Sequence, residues 1–136
     1  MSYPNLISTP EIPTMSIQHE DGRRIIREVE ITQPNGLLRR VTSIIVKDSQ
    51  DGTPAVLGNH YHDKTEDFIV VAGNPTVYTQ DVVGLDAPRV HNFPEGGHIS
   101  MEPGLGHTFV FDGAGVLFST MEGTFEEAGM YPHKLV

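Results

Sequence analysis

The sequence predicts a single all-β domain, a sandwich or barrel of short strands. Its 136 residues are close to the length of one typical domain. The 14 Gly and 10 Pro residues favour many tight turns over long helices. Short runs of β-branched and aromatic residues alternate with turn-forming residues roughly every 8–12 positions, which is typical of antiparallel β proteins.

The N-terminal segment Met1–Ser16 is predicted to be an extended arm, and residues 17–136 the barrel domain. Pro4, Pro10 and Pro13 exclude a continuous helix and favour extended backbone. An arm of this kind can lie across a neighbouring surface, and edge strands of sheets are usually covered. We therefore expect a homodimer in which the arm of one chain covers an edge of the other.

The first predicted strands are rich in β-branched residues and are separated by strong turn signals. Arg24–Thr32 and Leu37–Lys47 flank Pro34-Asn35-Gly36, and Ala55–His60 follows Asp51-Gly52. Further strands are predicted at Glu66–Ala72, Thr76–Val82, Val90–Asn92, His98–Met101, Thr108–Asp112 and Val116–Met121. A single helical turn is predicted at Glu126–Met130.

Charge and composition exclude several classes of partner. Nine Lys and Arg against eighteen Asp and Glu give a net charge of −9, which repels nucleic acid and anionic membranes. No apolar run approaches the roughly 18 residues of a membrane span, and no signal peptide pattern is visible, so a cytoplasmic location is expected. The absence of Cys excludes disulfides, thiolate metal sites and cysteine nucleophiles.

One short segment carries the pattern of a metal site. His60 and His62 lie two residues apart, so alternation along an extended segment places both on one face. Glu66 shares a predicted strand face with Phe68 and Val70, and a buried carboxylate requires a cation, a proton or hydrogen bonds. Two imidazoles and a carboxylate suit a divalent transition metal such as Zn, Fe, Mn, Ni or Co.

A second segment supplies a further candidate ligand. Pro103, Gly104 and Gly106 form a sharp turn that delivers His107 at the head of an apolar strand. A hairpin end of this kind can bring His107 over the face that carries His60 and His62.

These two segments resemble the two motifs of the cupin superfamily. His60, His62, Glu66 and Gly73 match the spacing of the first motif, and Gly97, Pro103, Gly104 and His107 are similar to the second. The resemblance implies a cupin-type double-stranded β-helix, a jelly-roll barrel, in which His60, His62, Glu66 and His107 bind one metal ion. The stretch from Gly58 to Glu66 looks most like cupins that process sugars or nucleotide sugars, although Leu57 stands where those relatives often carry Arg.

The expected function is metal-dependent chemistry on a small oxygenated substrate inside the barrel. Lewis-acid isomerase, epimerase or lyase chemistry on a sugar-like or carbonyl compound is favoured by the resemblance. An Fe(II)-dependent dioxygenase and a non-catalytic ligand-binding cupin are the alternatives, because the same ligands suit several metals. An enzyme of the first class requires a titratable group near the open metal position, whereas a binding module requires only apolar side chains there.

Two residues are predicted to move protons in such an enzyme. Tyr78 is either a proton donor that points inward from its strand or a core tyrosine with one hydrogen bond. Glu102 is either a base at the mouth of the pocket beside the His107 turn or a carboxylate of a surface turn. The neighbouring Arg39 and Arg40 are expected to split, with one side chain pointing into the barrel and the other out of it. An inward arginine can bind a carboxylate or a phosphate through two parallel hydrogen bonds.

Overall fold

The structure, a computed structural model, describes residues 14–49, 51–84, 86–123 and 129–136. Within these ranges the chain forms eleven strands and no helix. The strands are β1 (Ser16–Glu20), β2 (Arg24–Thr32), β3 (Leu38–Val46), β4 (Ala55–Tyr61), β5 (Glu66–Ala72), β6 (Thr76–Asp81), β7 (Arg89–Asn92), β8 (His98–Met101), β9 (Leu105–Phe111), β10 (Gly115–Glu122) and β11 (Tyr131–Pro132). No helix in the described part of the chain could therefore cross a membrane.

The strands form two antiparallel sheets. One sheet has six strands in the order β1-β2-β3-β10-β5-β8, and the other has five in the order β11-β4-β9-β6-β7. Strands that are neighbours in a sheet are mostly distant in sequence, so the chain passes repeatedly from one sheet to the other. This topology confirms the predicted all-β class and places the segments around Glu66 and His107 in different sheets.

All nine predicted strands are present, with ends shifted by at most three residues. The prediction missed β1 and β11, the edge strands that begin the six-stranded sheet and the five-stranded sheet. Both are exposed along their whole length, so neither shows the alternation of apolar and polar residues that reveals a half-buried strand. Residues 1–13 of the predicted arm lie outside the described residues, as does most of the helical turn predicted at Glu126–Met130.

The inner faces of the two sheets pack against each other around one apolar core. The ring centroids of Phe68 in β5 and Phe109 in β9 are 4.7 Å apart, and the ring of His107 lies 5.4 Å from that of Phe68. The core therefore directly supports one of the candidate ligands. Its buried residues are Val46, Ala55, Leu57, Phe68, Val70, Val77, Met101, Phe109, Phe111 and Leu117.

Candidate metal centre

A β-bulge in β4 turns the two first-motif histidines into the barrel. Gly58 pairs with Thr108 of β9 and His60 pairs with His107, so Asn59 is an extra residue in β4. Both bulge residues have positive φ, 112° at Gly58 and 56° at Asn59. Without the extra residue, the alternation that buries Leu57 would point His60 out of the barrel.

The four predicted ligands converge inside the barrel. Their ligand atoms all lie within 4.8 Å of one another. The Nε2 atoms of His62 and His107 are 3.2 Å and 3.7 Å from Glu66 Oε1. The ring of His60 lies 4.8 Å from that of His62 and 4.7 Å from that of His107, between centroids. His62, Glu66 and His107 are buried, and His60 is partly buried.

Backbone carbonyls select the tautomer of two of these imidazoles. Nδ1 of His62 lies 2.7 Å from the carbonyl oxygen of Gly129, and Nδ1 of His107 lies 3.0 Å from that of Leu105. A carbonyl oxygen only accepts, so each Nδ1 carries the proton and donates it. Each Nε2 then presents a lone pair to the centre of the cluster, which is the form that binds a metal ion.

Arg40 holds the carboxylate of Glu66 from the side opposite the histidines. Arg40 Nη2 donates to Glu66 Oε2 at 3.1 Å, which leaves Oε1 directed at the cluster. Burial opposes ionisation of Glu66, but the Arg40 guanidinium in contact with its Oε2 favours the carboxylate, and the pKa of Glu66 is lowered. Glu66 is therefore an anionic ligand with one oxygen available.

His60 and His107 are neutral at ordinary pH. Burial lowers the pKa of His60 to about 4, and the neighbouring His107 and His62 add to this effect. Burial also lowers the pKa of His107. Neutral imidazole is the form that coordinates a transition metal.

The cluster fits a divalent metal ion. Glu66 Oε1 and His107 Nε2 are buried and have no hydrogen-bond partner. With Nδ1 protonated, the Nε2 lone pairs and the carboxylate oxygen face each other without a proton between them, which is unfavourable unless a cation lies there. Three imidazoles and one carboxylate are a borderline-hard donor set that suits Zn, Fe, Mn, Ni or Co.

The cluster lies in the wall of a cavity of about 1160 Å³. Sequence reasoning missed part of its lining: Glu28 in β2, Thr42 in β3 and Ser119 in β10. Burial raises the pKa of Glu28, and Arg40 Nη1 lies 3.8 Å from its Oε2. Alternation along β3 places Arg40 and Thr42 on the same face of the sheet. Glu28 and Ser119 join this face because each pairs with Thr42 from a neighbouring strand, which the sequence does not show.

The predicted splitting of the arginine pair is confirmed. Arg40 is 4% exposed and contacts Glu66, whereas the guanidinium of Arg39 donates to Thr120 Oγ1 at 3.0 Å. Arg40 thus binds a carboxylate of the protein itself.

Tyr78 and Glu102 do not reach the cluster. In β6, Val77 and Thr79 are buried, so the alternating Tyr78 points to the opposite face of the sheet. Glu102 is an exposed residue of the turn between β8 and β9. Neither residue is among those described as lining the cavity, so the expectation that they lie beside the open metal position has no geometric support.

The C-terminal segment 129–136 supports the cluster from outside. Asn59 Oδ1 accepts hydrogen bonds from Thr108 Oγ1 at 2.7 Å and from the backbone nitrogens of Leu135 and Val136 at 2.9 and 3.1 Å. The same segment supplies the Gly129 carbonyl that orients His62. Asn59 therefore links β4, which carries His60, to the C-terminal segment that fixes the tautomer of His62.

Replacing Asn59 with alanine is expected to destabilise the protein by about 2–4 kcal/mol, since it removes several hydrogen bonds and leaves a residue with a Cβ at positive φ. Urea unfolding measures this change, and amide exchange at Leu135 and Val136 should accelerate. The exposed Asn92→Ala is the control, with an expected change within about 0.5 kcal/mol. An Asn59→Ala protein as stable as the control would contradict this account of the bulge.

Comparison with known proteins gives likeness in structure without close likeness in sequence. No protein-family model matches the chain, and no curated protein matches it significantly. The capsular polysaccharide assembling protein CapF from Staphylococcus aureus is similar, with a TM-score of 0.67, 22% identity, and coverage of 98% of this chain and 33% of that one. CapF with the inhibitor 3-isopropenyl-tropolone gives a TM-score of 0.68, 21% identity, and coverage of 98% and 36%.

Oxalate decarboxylase from Bacillus subtilis is also similar, with a TM-score of 0.68, 16% identity, and coverage of 87% of this chain and 30% of that one. The chain thus spans about a third of the length of each of these structures. At such low identity the likeness establishes the arrangement of the strands, and it agrees with the two antiparallel sheets described above. The chain therefore has the cupin jelly-roll fold that its two histidine motifs predict.

Proposed function

We propose that the chain is a divalent-metal-dependent enzyme that isomerises, epimerises or eliminates from a small hydroxylated carbonyl compound. One observation carries the proposal: four ligand residues meet in the wall of a large cavity that a partly buried carboxyl group, that of Glu28, also lines. A titratable side chain in that lining is the feature that distinguishes such an enzyme from a binding module with an apolar pocket.

His60, His62, Glu66 and His107 would hold the metal ion, which would supply Lewis-acid polarisation of a carbonyl or hydroxyl oxygen. Four protein ligands leave one or two positions for a substrate on a metal that prefers five or six. Arg40 keeps Glu66 in place by engaging its second oxygen.

Glu28 is the best-placed proton acceptor in the lining. It contacts the same guanidinium as Glu66, so it lies beside the ligand cluster. In an isomerisation, its carboxylate would take the proton from the carbon next to the substrate carbonyl, and the C–H electron pair would move toward the carbonyl oxygen. Return of the proton to the former carbonyl carbon, with transfer of the neighbouring hydroxyl proton to the former carbonyl oxygen, gives an isomer. Delivery of a proton from solvent to the opposite face of the original carbon gives an epimer. The raised pKa of Glu28 suits both directions of transfer. Roles for Tyr78 and Glu102 remain predictions.

The structural neighbours are compatible with this chemistry. One is named a capsular polysaccharide assembling protein and another an oxalate decarboxylase. Both proteins contain this arrangement of strands in about a third of their length. Because the chain spans only about a third of either protein, the choice between them depends on its own cavity.

The test combines metal analysis with hydrogen exchange into a substrate. Protein purified without added metal should contain close to one equivalent of a transition metal. With dihydroxyacetone in D₂O under anaerobic conditions, the metal-loaded protein should introduce deuterium next to the carbonyl. Glu28→Gln should slow this exchange by at least about 100-fold, the usual contribution of a general base, without changing the metal content.

Other outcomes distinguish the alternatives. Oxygen consumption by the Fe(II) form with a catechol or a thiol, in the absence of deuterium exchange, would replace the proposal with a dioxygenase. Ligand binding with neither reaction would indicate a non-catalytic cupin. Absence of bound metal would contradict the proposal, because the proposed enzyme depends on a divalent metal ion.

We also propose a homodimer. The outer face of the six-stranded sheet carries Phe118 and Ile69, which pair across β10 and β5, and the nearby Val71; these residues are 38%, 47% and 49% exposed. Adjacent exposed apolar residues on a sheet favour association. Light scattering after gel filtration should give twice the mass of the chain, and Phe118→Glu should shift the protein to monomer. The control is Val83→Glu in a loop, and a monomeric parent protein would contradict the proposal.

A further inference from the structure

The inner face of the six-stranded sheet carries a polar row beside the ligand cluster. Glu28, Thr42 and Ser119 are directly paired across β2, β3 and β10. Two residues further along the same strands lie Glu30, Arg40 and Met121, and the last pairs with Glu66. Adjacent rows on one sheet face are about 7 Å apart. The row of Glu28, Thr42 and Ser119, which we name the hydroxyl row, thus lies one step from a metal ligand.

Thr42 shows that the hydroxyl row is built to meet a polar group. The residue is 6% exposed, and its Oγ1 is buried with no hydrogen-bond partner. A buried hydroxyl without a partner is unfavourable unless a ligand supplies the missing hydrogen bond. Thr42 and Ser119 both line the cavity, so a ligand there lies against both side chains.

The charges around the cavity disfavour an anionic ligand. Arg40 is engaged by Glu66 at 3.1 Å and by Glu28 at 3.8 Å. Arg24, the other described arginine of the lining, donates from Nη1 to the Val56 carbonyl. Its Nε makes no hydrogen bond and lies 4.0 Å from Asp21 Oδ2. Both guanidinium groups therefore already face carboxylates of the protein. A phosphate or a second carboxylate on the substrate would meet Glu28 across the hydroxyl row.

We infer that the hydroxyl row is the substrate-binding subsite for a neutral hydroxyl-bearing carbonyl compound, whose hydroxyl groups bond to Thr42 and Ser119. This inference rests on the proposed function for the role of the metal ion, and it adds the substrate class. Phosphorylated and dicarboxylic compounds are rejected by the charge of the same wall. Because both described arginines of the lining already lie within 4.0 Å of carboxylates of the protein, nucleotide diphosphates are also disfavoured, in agreement with Leu57 in the sequence.

Three ligands with the same three-carbon skeleton test the inference. Zinc-loaded protein is titrated with dihydroxyacetone, acetone and dihydroxyacetone phosphate, and amide shifts are followed by NMR. Dihydroxyacetone should bind at least about tenfold more tightly than acetone. Thr42→Val, which keeps the side-chain shape, should weaken dihydroxyacetone about fivefold, as expected for one neutral hydrogen bond, and leave acetone unchanged. The control is Ser43→Ala on the outer face of β3, which should change neither ligand.

The outcomes separate this inference from the proposed function. Tighter binding of the phosphate than of dihydroxyacetone, or equal weakening of dihydroxyacetone and acetone by Thr42→Val, would overturn the subsite. Zinc content is measured on each sample. If the parent protein holds no zinc, the proposed function fails, and the same titration of the metal-free protein still decides the inference because no member of the hydroxyl row is a metal ligand.

Discussion

Replacement of His107 with alanine is expected to lower metal affinity by more than about 100-fold. This exceeds the loss expected when a residue that only hydrogen-bonds to a metal ligand is removed. His107 is 1% exposed, and its Nε2 is one of two buried atoms of the cluster that lack a hydrogen-bond partner. Its Nδ1 donates to the carbonyl of Leu105, the first residue of β9, which fixes the direction of the ring. Metal stoichiometry by mass spectrometry and a zinc titration measure the loss.

The matched control for this variant is His98→Ala. His98 is an exposed histidine whose Nε2 lies 3.1 Å from Asp67 on the outer face of the same barrel. Its removal should leave the metal content unchanged. Glu66→Gln provides a second test with little change in volume, because the amide keeps the shape of the side chain and loses the charge. Full metal content in both His107→Ala and Glu66→Gln would mean that the cluster does not bind the ion.

Replacement of Gly58 with alanine is expected to destabilise the protein by about 4 kcal/mol or more, among the larger effects of single substitutions. A Cβ at this position would lie 2.5 Å from the carbonyl oxygen of His107 and 3.2 Å from the Cα of Thr108. Both are backbone atoms, so the clash is relieved only if β4 and β9 move apart. The φ of 112° adds strain for a residue with a side chain.

Separation of β4 from β9 also moves His60 away from His107, since the two residues are paired at the bulge. Gly58→Ala should therefore lose metal affinity as well as stability, measured by urea unfolding and by zinc titration. Gly22→Ala is the control, because a Cβ there meets no atom within 4 Å. A Gly58→Ala protein with the stability of the control would show that the bulge does not require glycine.

The positions of the strands were predictable because most of them are half-buried. A strand such as β5 alternates buried and more exposed side chains, and this period of two is visible in the sequence. The edge strands β1 and β11 were not predicted because an exposed strand has no apolar face. Strand ends moved by a few residues where pairing with a neighbour extends a strand, as at Leu105 in β9, which pairs with Asp81.

The proton acceptor could not be predicted in the same way. Tyr78 was expected to point inward, but its strand buries Val77 and Thr79 instead. Glu28 was not singled out, because its sequence neighbours contain nothing unusual. Its importance arises from pairing with Thr42 and from contact with Arg40, and neither is a property of β2 alone.

The sequence by itself determined the ligand set, the all-β class and the likeness to the cupin motifs, because each depends on residues close together in the chain. Only the tertiary structure decided the direction of His60, the engagement of Arg40 and the hydroxyl row. An extra residue in β4 reverses which side chains face the barrel, and the register between strands distant in sequence decides which groups share a wall. Local sequence patterns determine where the strands form, whereas pairing between strands determines which side chains become adjacent. The chemistry of the cavity depends on those adjacent side chains.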